Sequence, residues 1–539
     1  MQTKTTRYTS LAILCLKYGA DAMLTNADGD IVRIGSEDQL RAEVRDNAKY
    51  TDLRGHYCLP GLIDAHAHMI MGGSSLGYLD LGDVASREDF VRSVGAAARG
   101  LGPGDWLVGF NYDERKFADG AGQPRADWID GVTPNNPVFL SRSDGHTALV
   151  NGRALDLARI TETTADPPGG EIERDGGEPT GILRDAAITL VKSLQPRLTK
   201  EERKDAIKAA VEYALSNGVT SVHDMGTPIF SQSLEDCMTD LTEVWYELAE
   251  EEELKIRVMA CVPLAGEEGL HAFVTDQGTR HHHSQMLHWG CVKEFYDGSL
   301  GSETALMHEP YLGTQSTGLR IHETKDLEER VARANSNRHQ IIVHAIGDRA
   351  VDEAAAILKK GAPALGAHDR PRRHRLEHVQ HVAGQGTLRS LLDDDITVVV
   401  NPLHIADDVP AMEEKLGRER GGKGRSYPFR SMSDVGLRPS FGSDWPLVAP
   451  LDPLGSIMAA TTERTHAPEE ALTREEGLLA VTARPAEAAF MEDLVGQLKP
   501  GMKADFVVLD RDVTTSKERP KVLRTFVNGN LVYKKKKPV

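Results

Sequence analysis

The sequence predicts an α/β protein built on a (β/α)₈ barrel, with a small β-domain assembled from both ends of the chain. Three observations predict it. The middle of the chain alternates apolar strand patterns with helical ones. Eight of those strands end in polar residues. Both chain ends read instead as short strands joined by turns. A length of 539 residues suits a barrel with an insertion plus a second, smaller domain.

Near the N-terminus, the apolar stretch Leu11 to Leu16 follows Lys4 and Arg7. It is too short for the core of a signal peptide and reads as a strand. Asn26-Ala-Asp-Gly29 is a turn before the strand-like Ile31-Val-Arg-Ile34. The barrel strands are predicted at Leu62 to His68, Val219 to Met225, Ile256 to Pro263 and Cys291 to Asp297, then Ile341 to Ile346, His374 to His381, Ile396 to Pro402 and Pro439 to Trp445. Helices separate them, such as Lys200 to Asn217, with Thr199 as N-cap and Gly218 past its end, and Asp326 to Asn335. The gap 69–198 is too long for a loop and predicts an inserted subdomain with its own strands, such as Val138 to Ser141. At the far end, Ala504 to Asp510 is a strand, and Val522 to Tyr533 is a hairpin around Asn528-Gly529. Lys534 to Lys537 reads as a solvated basic end. The expected division is 1–58 with 490–539 for the β-domain and 59–489 for the barrel.

A composition of 40% hydrophobic and 27% charged residues is ordinary for a soluble protein. A formal net charge of -18 argues against general nucleic-acid binding and against anionic membranes. No run of eighteen apolar residues exists to span a bilayer. The five cysteines (Cys15, Cys58, Cys237, Cys261, Cys291) are scattered, with no CxxC spacing. That pattern predicts no disulfide scaffold and a cytoplasmic location.

The first barrel strand ends in His66-Ala-His68. Residues i and i+2 on a strand face the same way, so both imidazoles can grip one ion. His344 ends the run Ile341-Ile-Val343, His378 ends Arg375-Leu-Glu377, with His381 three residues on, and Asp444 ends Phe441-Gly-Ser443. Each alone reads as a satisfied buried polar group. Together, at the ends of barrel strands, they predict a metal site of the Zn²⁺ type. Lys293 sits in the apolar strand Cys291-Val-Lys-Glu-Phe295. Read alone, it snorkels or pairs with a carboxylate. Beside two metal ions it is expected neutral or modified, and reaction with CO₂ would make it a bridging carbamate.

The order His66-x-His68, Lys293, His344, His378, Asp444 resembles the amidohydrolase superfamily. More narrowly, it is similar to the amidohydrolase 3 branch of N-substituted formamide deformylase and the YtcJ-like hydrolases. Further matching stretches are Leu59-Pro-Gly-Leu-Ile-Asp64, Asp144-Gly-His-Thr-Ala-Leu-Val-Asn151, Gly169-Gly-Glu-Ile-Glu-Arg174, Lys293 to Ser302, His344-Ala-Ile-Gly-Asp348, Phe441 to Pro446 and Pro500 to Asp510. The resemblance implies a distorted TIM barrel, a small β-sandwich from both termini and a large insertion after the first strand. It implies that His66, His68 and Asp444 hold one divalent metal and His344 and His378 a second, most simply zinc, with carboxylated Lys293 bridging them. Glu303 departs from the branch, where a basic residue is expected.

The expected reaction is hydrolysis of an amide-like C–N bond of a small molecule by a metal-bridged hydroxide. Asp444 is the general base and then the acid that protonates the leaving nitrogen. His146 is expected from its family motif to bind substrate and steady the oxyanion. Asp297 and Ser299 either line the pocket or form a turn. Asn401 and His404 close the seventh strand and are read as substrate contacts or as structural groups. His223 is not counted as a ligand, and Trp289 and Trp445 are read as core. The alternatives are a lactone or ester hydrolase, a ring deaminase, a mononuclear enzyme with unmodified Lys293, or a non-catalytic binding barrel. No Walker-type loop supports phosphoryl transfer. A homodimer is the default assembly.

Overall fold

A computed structural model describes residues 8–15, 22–43, 49–142, 147–167, 170–228, 232–361 and 372–536. Leu16, His146 and Lys537 of the expectations above lie outside the described residues. Among the described residues no helix is long and apolar enough to cross a membrane.

The chain divides into two compact units, 1–73 with 202–539, and 74–201. In the first, eight parallel strands run in chain order around a nearly closed barrel. They are Leu62–Ala67, Val219–Asp224, Arg257–Pro263, Leu287–Phe295, Gln340–Ala345, Arg375–His378, Thr397–Val400 and Ser440–Phe441. All eight predicted strands form. Several, such as Gln340–Ala345 and Thr397–Val400, read as near-continuous apolar runs because a parallel barrel buries both faces of each strand. Closure comes at a parallel bridge between Ala67 and Trp445. There Trp445 is buried and stacks on Tyr213, with ring centroids 5.1 Å apart. Helices such as Lys200–Ser216 and Thr324–Ser336 return the chain between strands. The amphipathic Thr324–Ser336 turns Leu327, Val331 and Ala334 into the core.

Both chain ends meet in one seven-stranded sheet of the same unit. Phe506–Leu509 pairs antiparallel with the end of Lys49–Pro60, which leads directly into the first barrel strand. Phe506 and Phe526 stack at 4.3 Å in its core. The hairpin Val522–Val527 to Asn530–Lys534 turns at Asn528-Gly529, both with positive φ, as a two-residue primed turn requires. Arg257, at the start of the third barrel strand, is fully buried and donates from Nε to Asp505 at 2.8 Å. A buried charge of this kind is tolerated because it is paired and hydrogen-bonded.

The second unit holds its own six-stranded sheet, with Val138–Arg142 at its centre. Phe90, Tyr112 and Trp128 pack edge to face in its core.

Cys58, Cys237, Cys261 and Cys291 are buried free thiols. Cys261 and Cys291 face each other on adjacent barrel strands with their Sγ atoms 2.7 Å apart, and burial pushes Cys261 well above the usual thiol range.

Candidate metal centre

Each predicted donor sits where a barrel strand runs out. His66 lies near the end of the wholly buried first strand, and His68 follows its last residue. Lys293, His344 and His378 lie in the C-terminal halves of the fourth, fifth and sixth strands. Asp444 lies just beyond the eighth. The rings converge: His66 to His68 is 5.6 Å between centroids, His66 to His378 is 4.9 Å, and His344 to His378 is 4.4 Å. Asp444 Oδ1 stands 3.2 Å from His68 Nε2 and 3.3 Å from His66 Nε2.

The backbone is bent to achieve this. His378 and Asp444 adopt φ of 74° and 60°. Such conformations cost non-glycine residues about 1–3 kcal/mol each and persist where surrounding bonds hold them. The Asp444 amide donates to the His66 carbonyl at 2.7 Å. Asn401, after the seventh strand, pairs through Oδ1 with His378 Nδ1 at 2.8 Å and donates from Nδ2 to the Gly442 carbonyl at 3.0 Å. Gly442 must be glycine, since a Cβ there would sit 2.5 Å from the His66 Cβ.

Partners behind the rings fix which nitrogen faces the centre. His66 Nδ1 lies 2.5 Å from Glu377 Oε2, and His68 Nδ1 lies 2.6 Å from the Gly226 carbonyl. Glu377 is fully buried and takes bonds from Arg375 at 2.9 and 3.0 Å. Burial opposes its charge, but Arg375 and His66 outweigh burial and hold the carboxyl down at about 2. Burial likewise opposes the Asp444 charge, and the His66 and His68 imidazoles beside it overcome burial, so Asp444 stays far below the usual carboxylate range. Burial pushes His344 down to about 3 and His378 well below the usual imidazole range. Neutral His344 and His378 and an ionised Asp444 are donor forms that a metal requires.

Two buried atoms of the cluster have no hydrogen-bond partner: His66 Nε2 and Lys293 Nζ. The contact from His66 Nε2 to Asp444 is close without hydrogen-bond geometry. Buried polar atoms left unpaired are rare and need an explanation. Divalent ions held by His66, His68, His344, His378 and Asp444 would satisfy the imidazole. Lys293 Nζ lies 4.5 Å from the centre of the Phe295 ring, and burial lowers its pKa. A bare amine does not bridge two cations, whereas its carbamate would fit the same donor set.

Other expectations fare differently. Asp297 is fully buried and accepts from the backbone amides of Leu306, Ile346 and Gly347 at 2.8, 3.0 and 2.8 Å. Burial pushes its carboxyl up to about 7. Its carboxylate thus holds together the loop that follows the lysine strand. Ser299 is exposed in that loop, with its Oγ 2.9 Å from Ser302 Oγ. Glu303 sits at a turn with φ 57° and faces Lys415 at 3.3 Å. His223 packs against Arg375, and His381 pairs with Ser426 at 2.7 Å. Trp289 is core.

Two contributors go beyond the sequence reading. His404, read there as a substrate contact or a structural group, comes beside His378 and Asp444, their ligand atoms all within 4.8 Å of one another. Glu377 is the partner of His66. A signal for it existed: Arg375 and Glu377 are a charged i, i+2 pair on one face of a buried strand, which only a polar barrel interior accommodates.

A profile described as "Amidohydrolase family" matches residues 49–533. The chain is 35% identical over 530 residues to "Protein LONG AFTER FAR-RED 3" of Arabidopsis thaliana, covering 95% of this chain and 88% of that one. It is 28% identical over 548 residues to N-substituted formamide deformylase of Arthrobacter pascens, covering 96% and 95%. Among solved structures it resembles an uncharacterized metal-dependent hydrolase from Pyrococcus furiosus, with TM-score 0.76 and 26% identity over 94% of this chain and 100% of that chain. With the barrel and its converging donors already in place, these matches show that the chain belongs to the amidohydrolase family of metal-dependent hydrolases.

Proposed function

We propose that this chain hydrolyses a C–N bond of a small molecule, of the N-formyl or N-acyl amine type, at a centre of two divalent ions, with zinc as the resident metal. The observation that carries the reading is the convergence of four histidines and one aspartate around a buried lysine whose Nζ has no partner. The relative that deformylates N-substituted formamides supports the bond type. Divalent ions at such a centre supply Lewis acidity toward a carbonyl and make bound water acidic.

The protein's own groups supply the rest. Burial favours the neutral Lys293 amine, and that form attacks CO₂. The new N–C bond gives a carbamate and releases one proton. Asp444, held ionised, accepts a proton from the attacking water and delivers it to the leaving nitrogen, without which an amine is a poor leaving group. Glu377 and Asn401 keep the His66 and His378 rings oriented. Asp297 organises the loop carrying Ser299, which is the substrate contact of this reading. His146 belongs to it on its family motif alone. A cytoplasmic homodimer completes the proposal.

The test is metal content of the purified protein, beside hydrolysis of a panel of N-formyl amines, N-acyl amines, esters and lactones by wild type and Asp444→Ala. Two metals per chain and amide hydrolysis lost in the variant is the expected result. Turnover of esters or lactones only would move the reading to the C–O bond. Protein that binds no metal, even with bicarbonate supplied, would overturn it.

A further inference from the structure

The fourth barrel strand carries Lys293 toward one end of the barrel. The segment entering its other end reads Thr279-Arg-His-His-His-Ser284. His281 bridges back to His288 at the strand's start, which fixes the course of this segment. The His282 ring is buried, with its Nε2 2.7 Å from Glu250 Oε1. Glu250 is the last residue of the helix Tyr246–Glu250. His283 Nδ1 lies 3.9 Å from the same oxygen, and the two neighbouring rings are 4.0 Å apart. One ligand atom from each of the three residues lies within 4.8 Å of the others.

We propose that Glu250, His282 and His283 form a second, peripheral site for a divalent metal of the zinc class, clamping the end of the Tyr246–Glu250 helix to the strand that carries Lys293.

Two imidazoles and one carboxylate are a donor set that Zn²⁺ takes, with water in the fourth position. At metal–ligand bonds of about 2.0–2.1 Å, tetrahedral donors stand about 3.3 Å apart. The present separations bracket that value. The buried His282 is the anchor. Its Nδ1 lies 2.8 Å from Ser284 Oγ and accepts from the Ser284 amide at 3.3 Å. In that tautomer Nε2 carries the proton toward Glu250, and coordination through Nε2 moves it to Nδ1, where the Ser284 hydroxyl can accept it. The side chains of Glu250 and His283 are 50% and 77% exposed, so both are free to move toward the buried His282 and close the site. The simpler arrangement, a hydrogen bond between His282 and Glu250, leaves His283 without a role. Protons compete with the metal for both imidazoles, so affinity must weaken as pH falls.

The test starts from enzyme already loaded at its barrel centre and titrates Zn²⁺ by calorimetry into wild type, His283→Ala and Glu250→Gln. Both substituted side chains are largely solvent-exposed, and both variants are expected to keep hydrolytic activity. The expected result is one further equivalent in wild type, bound at least tenfold more weakly in each variant. A zinc-dependent rise in Tm should likewise shrink in both. No further equivalent, or one unchanged in either variant, overturns the three-donor site. Because activity and barrel metal content are read separately, this outcome is independent of the proposed hydrolysis.

Discussion

The two halves of the proposed metal centre are built differently. His66 and His68 face Asp444 at 3.3 and 3.2 Å, and partners stand behind both rings: Glu377 for His66 and the Gly226 carbonyl for His68. Lys293, His344 and His378 lie on adjacent strands, with Phe295 as the near neighbour of Lys293 and His344. In the first half a carboxylate compensates burial. In the second, burial is the largest effect: it lowers Lys293 and takes both histidines well below the usual imidazole range. On the two-ion proposal, the first half brings its own carboxylate to the metal, whereas the second would take its anion from a carbamate on Lys293.

That contrast can be broken by substitution. Asp444→Ala removes the only carboxylate of the first half and the proposed proton carrier. Hydrolysis should fall by about 10²–10⁴-fold or more, read as kcat on the best substrate of the panel, with KM changed far less. Lys293→Ala should leave about one metal per chain by elemental analysis and be partly rescued by short carboxylic acids. Retention of both metals in that variant would show that the second half needs no anion. The intact protein's mass in bicarbonate should also exceed that of the acid-treated protein by one CO₂.

Glu377→Gln tests the bracing itself. It keeps the shape but removes the charge behind His66, and should weaken metal binding by about 10–100-fold, seen in competition with a chelator. An unchanged affinity would make Glu377 only a partner for Arg375.

The rule that uncompensated burial neutralises extends beyond the site. Burial holds His339 at about 3 and His288 at about 4, whereas an unfolded histidine titrates near about 6.5. Below that pH the unfolded chain binds more protons than the folded one. Stability should thus be fully present above about pH 6.5 and decline as pH falls toward 3–4. Denaturant midpoints at pH 7.5 and 5 measure this, and His339→Gln should reduce the difference. The smallest effect belongs to Glu303. Its ion pair with Lys415 is part-exposed, so Glu303→Ala should change stability by about 0.2–1 kcal/mol. A larger shift in KM than in stability would assign it to substrate selection.

Much of the molecule is legible in short windows of sequence. Short strand-like runs, most of them apolar and followed by helical periodicity, mark the eight barrel strands, which span two to nine residues. The Asn-Gly hairpin is local turn chemistry. The five His and Asp donors are visible because barrel chemistry gathers at strand ends, a rule that needs only strand boundaries. What only the tertiary structure decided lies in contacts between distant strands. Glu377 meets His66 across 311 residues, and Asp444 meets His68 across 376. No local pattern carries those pairings, because barrel closure at Ala67 and Trp445 creates them. The same holds for Asp297. In the sequence its Asp-Gly-Ser is either a turn or a pocket wall, and only folding brings three backbone amides to its carboxylate. Periodicity is set by each strand's own geometry, whereas side-chain partnership is set by which strands the closed barrel makes neighbours.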